Sequence, residues 1–145
     1  MQKIRIRKHK CVLKQIHEKY LCNLISKHHL CMAYNEKLAG RIREALSHLP
    51  KVEEKKMFRG ITFMVDGKMC ISVGGDEIMC RINPLIHEKV INKKGCRPVK
   101  MGGREYKGYV YVNEDVIQKK KDFDYWVGLA LEFNKLAKSS KKIKR

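Results

Sequence analysis

The stretch Glu53–Val73, EEKKMFRGITFMVDGKMCISV, decides the fold. Ile61, Phe63 and Val65 alternate with Thr62 and Met64, and Met69, Ile71 and Val73 alternate with Cys70 and Ser72. A period of two places successive side chains on opposite faces, so both runs read as half-buried strands. Asp66-Gly67 between them is a hairpin signal. A two-residue loop would set Phe63 opposite Cys70 and Ile61 opposite Ser72, mixing apolar and polar residues on each face. A three-residue loop, Val65-Asp66-Gly67, sets Phe63 opposite Met69 and Ile61 opposite Ile71, and one face stays apolar. A one-residue slip turns every side chain over, so burial selects the three-residue loop, with a positive φ at Gly67.

Upstream, Glu53–Phe58 reads as a charged strand at a sheet edge, where charges discourage pairing with other chains. Before it, Asn35 caps a helix running to about Leu49, with Leu38, Ile42, Ala45, Leu46 and Leu49 as its apolar stripe. Downstream, Gly74-Gly75-Asp76 turns into a strand marked by Ile78, Cys80 and Ile82. Asn83-Pro84 then starts a short helix carrying Leu85, Ile86, Val90 and Ile91, which ends at Lys93-Lys94-Gly95. Val99 and Met101 mark a short strand, and Tyr106–Val112 the next. A last helix from near Asp122 to near Ala137 presents Phe123, Trp126, Val127, Ala130 and Phe133 inward, with Trp126 as a core anchor. Short links make the strand pairs antiparallel. The order is helix, three or four strands, helix, two strands, helix. It predicts an α+β fold of two layers, an antiparallel sheet apolar on one face and roofed there by helices.

The 145 residues fit one domain with tails, and the formal charge is +18. Residues 1–31 carry eight Lys/Arg against one Glu, and residues 137–145 carry five against none, so two thirds of the excess sits on the ends. Such a balance favours polyanions non-specifically and says little about fold. The organisation expected is a basic extension (1–31), a domain (32–137) and a basic tail (138–145). Leu13, Ile16, Tyr20 and Leu24 recur at helical spacing in the extension, and Met32-Ala33-Tyr34-Asn35 looks like a fresh start, so translation from Met32 is one expectation. His17, Cys22, His28, His29 and Cys31 are metal-ligand types, but their spacing matches no zinc signature. No apolar run is long enough to span a bilayer and the N-terminus is a poor secretory signal, so a cytoplasmic location and reduced cysteines are expected. Cys70 and Cys80 fall in strand patterns, as small core hydrophobes do.

Met32–Leu38 (MAYNEKL), Met57-Phe58-Arg59-Gly60, Asp66-Gly67-Lys68-Met69, Gly108–Val112 (GYVYV) and Trp126 together resemble the TfoX (Sxy) N-terminal domain family, over about Met32 to Ala137. The family usually shows Met-Phe-Gly-Gly. Arg59 replaces the first of those glycines here, which bears on whether that turn keeps a glycine-type backbone. The resemblance implies a two-layer domain of α-β(3)-α-β(2)-α type. Family members with a second, C-terminal domain act as positive regulators of DNA-uptake genes, together with a cyclic-AMP receptor protein. Residues 138–145 offer no counterpart of that second domain, so the expectation is a stand-alone domain. The family supplies no catalytic motif to carry over.

No catalytic constellation stands out. There is no GxSxG, and the neighbouring carboxylates Glu53-Glu54 and Glu114-Asp115 point opposite ways if they lie on strands. Gly74-Gly75 and Gly102-Gly103 precede strands, so they read as turns and not as phosphate cradles. Neither a metal nor a cofactor is expected. A non-enzymatic domain acting through protein contacts, with a partner in the transcription machinery, is the first expectation. A basic nucleic-acid-binding module, using the basic surface and tails, is the alternative, with Lys55, Lys56, Arg59, Arg104 and Lys107 as contacts near strand ends and Tyr106 and Tyr109 for stacking, and an enzyme of unknown reaction comes third.

Overall fold

The computed structural model describes residues 34–139. The basic extension, its His/Cys group, the Met32 start and most of the basic tail lie outside them. The elements are α1 (Glu36–Leu46), β1 (Val52–Met57), β2 (Gly60–Val65), β3 (Lys68–Gly74), β4 (Glu77–Arg81), α2 (His87–Ile91), β5 (Cys96–Met101), β6 (Arg104–Asn113) and α3 (Lys120–Leu136). Short 3-10 turns, Pro84–Ile86 and Glu114–Val116, precede α2 and α3. The six strands form one antiparallel sheet in the order β1-β2-β3-β4-β6-β5. The expected α+β architecture holds, and the first block contains four strands because the charged segment Val52–Met57 pairs along its whole length with β2.

The helices pack on the sheet face where Ile61, Phe63, Val65, Ile71, Val73, Ile78, Cys80, Ile82, Val110 and Val112 are buried. α1 contributes Leu38, Ala39, Ile42 and Leu46, and α3 contributes Phe123, Trp126, Val127 and Ala130. Asn35 caps α1 as expected, its Oδ1 accepting from the Leu38 amide at 3.1 Å. Its Nδ2 donates to Asp76 (3.1 Å) and Glu114 (2.8 Å), which ties the start of α1 to the β3–β4 turn and the end of β6. Arg41 donates to the Ile117 carbonyl and lies over the Phe123 ring, 4.2 Å from its centroid, joining α1 to the start of α3. α1 closes at Leu46, short of Leu49, where a turn takes over: the Ser47 and Leu49 amides donate back to Glu44 and Leu46.

The central hairpin corrects the expected register. Val65 pairs with Lys68, so the loop is two residues, Asp66 (φ 52°) and Gly67 (φ 71°). Both residues left-handed is the type I′ arrangement, the one that matches strand twist. The positive φ at Gly67 is therefore found, but it belongs to the shorter loop. The mixed faces that a two-residue loop would produce are avoided by a bulge. Phe63 pairs with Ile71 and Met64 with Met69, leaving Cys70 as the extra residue on β3. Cys70 and Ile71 are then both buried in the main core, and Ile61 lies opposite Val73.

Two further differences follow from packing. The face without helices is not simply polar: Met69, Met79 and Val99 are buried there in a second cluster with Met64, Tyr109 and Tyr111. Methionine fills irregular space well, so a strand can bury it on its second face. Leu85, expected on the apolar side of α2, is instead 90% exposed, because Pro84–Ile86 winds as a 3-10 turn before the α-helix begins. No helix among the described residues is long and apolar enough to cross a membrane.

Candidate functional site

The β1–β2 connection is also a two-residue turn, since Met57 pairs with Gly60. Its central residues, Phe58 (φ 53°) and Arg59 (φ 60°), both sit in the left-handed region. The glycine-type backbone of this turn therefore survives the replacement of glycine by Arg59. Left-handed backbone costs an L-residue with a Cβ on the order of 1–2 kcal/mol, and Asn-Gly or Asp-Gly is the usual solution. The chain uses Asp-Gly in the β2–β3 turn and Phe-Arg here. Phe58 is 45% exposed and Met57 36% exposed, so burial does little to offset the strain. Arg59 is exposed as well.

The base of this turn is rigidly seated. A Cβ on Gly60 would lie 1.8 Å from the Val73 carbonyl oxygen, and one on Gly74 would lie 3.4 Å from the Phe58 carbonyl oxygen. The turn therefore presses against the end of β3 and projects Met57, Phe58 and Arg59 from a fixed platform. Behind it, Arg43 of α1 grips Glu54 of β1 through two hydrogen bonds, at 2.5 and 2.9 Å. That contact holds the Glu54 carboxyl below the usual carboxylate range.

The residues expected to contact nucleic acid do not form one patch. Lys55, Lys56 and Arg59 share the β1 edge, where Lys55 pairs with Glu53 at 3.4 Å. By strand alternation Lys55 and Lys56 point to opposite faces of the sheet. Arg104 and Lys107 lie on β6, four strand spacings away, or about 19 Å. Arg104 is moreover at the β5–β6 turn, at the opposite end of the sheet from Arg59. Lys107 pairs with Glu88 at 3.2 Å. Tyr106 is exposed, whereas Tyr109 is half-buried beneath Arg81, 5.7 Å from its ring centroid.

Among the described residues, the three cysteines and His87 are buried or half-buried and held in the fold. Burial pushes the Cys70 thiol up to about 12 and the half-buried Cys96 thiol to about 11, and raises Cys80 well above its ordinary value. Thiols held protonated in this way are poor nucleophiles and poor metal ligands. His87 was not foreseen as a structural residue. It is fully buried, and its Nδ1 accepts from the Gly108 amide at 3.3 Å. The ring proton is then on Nε2, which donates to Glu105 at 3.1 Å. Both ring nitrogens are used in holding α2 on β6. His48 lies in the turn after α1, beside an open groove between α1 and α3 whose floor includes Ala45 and Gly128. Among the described residues no group of three His, Cys, Asp or Glu side chains could hold a metal ion.

A six-stranded antiparallel sheet roofed on one face by three helices, with a strained Met-Phe-Arg turn at one corner, defines a small two-layer α+β domain. The family model of the TfoX N-terminal domain matches residues 44–134, and the chain belongs to that family. Neither the comparison with curated proteins nor that with solved structures gave a match.

Proposed function

We propose that this TfoX N-terminal domain is a non-enzymatic module that acts through protein contacts in the control of transcription, in the cytoplasm. The observation that carries the reading is the Met57-Phe58-Arg59 turn, with two L-residues in left-handed backbone and their side chains in solvent. Met, Phe and Arg are enriched at protein interfaces, and aromatic and Arg side chains supply most hot spots. Strain persists where the surroundings over-determine it, and such sites cluster at functional positions. The protonated thiols and the doubly bonded His87 ring support the absence of catalysis. The link to transcription, and to competence in particular, comes from the family.

The test is co-precipitation from native lysate with the full chain as bait, beside a variant in which Phe58-Arg59 becomes Asp-Gly. RNA polymerase or a transcription regulator should be retained by the natural chain and lost from the folded variant. Retention of neither by the natural chain, or equal retention by both, counts against the reading.

A further inference from the structure

The loop after α2 is locked against the segment that leads into α3. The Lys93 amide donates to Val90, the Cys96 amide to Lys93 and the Asn113 amide to Gly95. Gly95 (φ 71°) lies so close to Val116 that a Cβ would come within 2.5 Å of its side chain. Between this loop and the start of α3 is an open cleft of about 550 Å³, within the range of small-ligand sites. Lys93, Lys94 and Lys119 line it together with Tyr125 and Trp126, and Asp115 and Asp122 also reach it. Among the described residues none of those three lysines lies within 4 Å of a carboxylate. Lys119, Lys120 and Lys121 add positive charge at the start of α3, where the helix dipole disfavours it. Of these, Lys120 is paired with Asp124.

Tyr125 gives the cleft a second character. It is 42% exposed, its ring stands edge-to-face with Trp126 at 5.4 Å, and the Lys93 ammonium lies over one face of the ring, 4.7 Å from its centroid, so a base would use the other face. Trp126 itself is buried and supports the tyrosine from the core side. An exposed aromatic ring beside lysines with no carboxylate partner is the combination that takes single-stranded nucleic acid: the ring stacks a base, and the ammonium groups meet the phosphates as point charges. An acidic peptide would use the lysines and leave the ring without a role.

We propose that this cleft binds one nucleotide unit of a single-stranded nucleic acid, with the base on Tyr125 and the flanking phosphates on Lys93, Lys94 and Lys119. None of these residues belongs to the Met57-Phe58-Arg59 turn, so the site stands or falls separately from the protein-contact reading.

Trp126 is the only tryptophan in the chain, so its emission reports on the cleft. The full chain is titrated with a short oligothymidylate, thymidine monophosphate, inorganic phosphate and a polyglutamate peptide over a range of salt. Oligothymidylate should change the emission and bind most tightly. The variant K93Q/K94Q/K119Q should bind it about tenfold or more weakly, with the slope of log K against log salt reduced by about two. The variant K37Q/K51Q/K100Q, which removes the same charge from exposed positions elsewhere, should lose less than about threefold. Tyr125→Leu should weaken the oligonucleotide and leave inorganic phosphate unchanged, with thermal melting confirming that each variant is folded. Equal losses in the two triple variants would assign binding to net charge and overturn the site. Binding without an emission change, or polyglutamate as tight as oligothymidylate, would overturn it too. Monophosphate as tight as the oligomer would overturn the single-strand assignment.

Discussion

Replacing Phe58-Arg59 by Asp-Gly should make the domain more stable while removing the exposed side chains proposed to make contact. The two I′ turns of the molecule provide the comparison, because Asp66-Gly67 and Phe58-Arg59 adopt the same left-handed pair of conformations. Arg59→Gly removes a penalty on the order of 1–2 kcal/mol and adds about 0.5–1 kcal/mol of backbone entropy lost on folding. The net gain at that position is on the order of 0.5–1 kcal/mol. Phe58→Asp adds a smaller gain, since Asp tolerates the left-handed region better than Phe. The sum, on the order of 1 kcal/mol, should raise Tm by about 4 °C for a domain of this size. The assay is thermal unfolding followed by circular dichroism, with the Trp126 signal as a second probe. An unchanged or lower Tm would refute the reasoning. It would mean that Phe58, despite its exposure, packs well enough to outweigh the strain, and the turn would then be a structural corner.

Gly60→Ala drives a Cβ into the Val73 carbonyl and should cost about 3 kcal/mol or more, seen as a large drop in the denaturant midpoint. Glu54→Gln should cost under about 1 kcal/mol at neutral pH, because the Arg43–Glu54 pair is partly exposed. The folded-state pKa of Glu54 is depressed, so its contribution is present above the unfolded value of about 4.3 and is lost as pH falls through the folded value. Urea melts of the natural chain and the variant should therefore converge on acidification below about pH 4. Cys70 should be alkylated by iodoacetamide at pH 8 about a thousandfold more slowly than a free thiol, and Cys80 should also be slowed, measured by peptide mapping. His87→Ala leaves the Gly108 amide without its acceptor and opens a void, and should cost about 2–4 kcal/mol by urea denaturation.

What was legible in the chain was what depends on neighbours in sequence. Alternation along Ile61–Val65 and Ile78–Ile82, Asn35 before a helical stripe, and Asn83-Pro84 before a short helix all act over a few residues, and each produced its element. The β2–β3 register was missed because its deciding feature is a bulge. Cys70 occupies a nominally outward position but is small and apolar enough to turn inward beside Ile71, and that tolerance was the only hint. The role of His87 has no signal in its own helix, since its partners Glu105 and Gly108 come from a strand met much later in the chain. The basic residues were grouped by type, but the order β1-β2-β3-β4-β6-β5 carries Lys55 and Lys107 to opposite parts of the sheet.

The two surfaces assigned a role share a physical signature. Most local choices agree with the fold: Asp-Gly where a left-handed turn is needed, Asn at a helix cap, charges on an edge strand. Phe-Arg in a left-handed turn and three lysines at the start of a helix run against local preference. A chain whose parts otherwise reinforce one another gives way at sites serving something besides folding. Both departures lie at the same end of the sheet, because Met57–Gly60, the start of β4, the end of β6 and the start of β5 are brought there by the pairing. The opposite end, with its ideal Asp66-Gly67 turn, shows no such conflict in its hairpin. The two proposed contact surfaces therefore share one rim of the sheet, with the Phe58-Arg59 turn toward the β1 edge and the lysine-lined cleft toward the β5 edge.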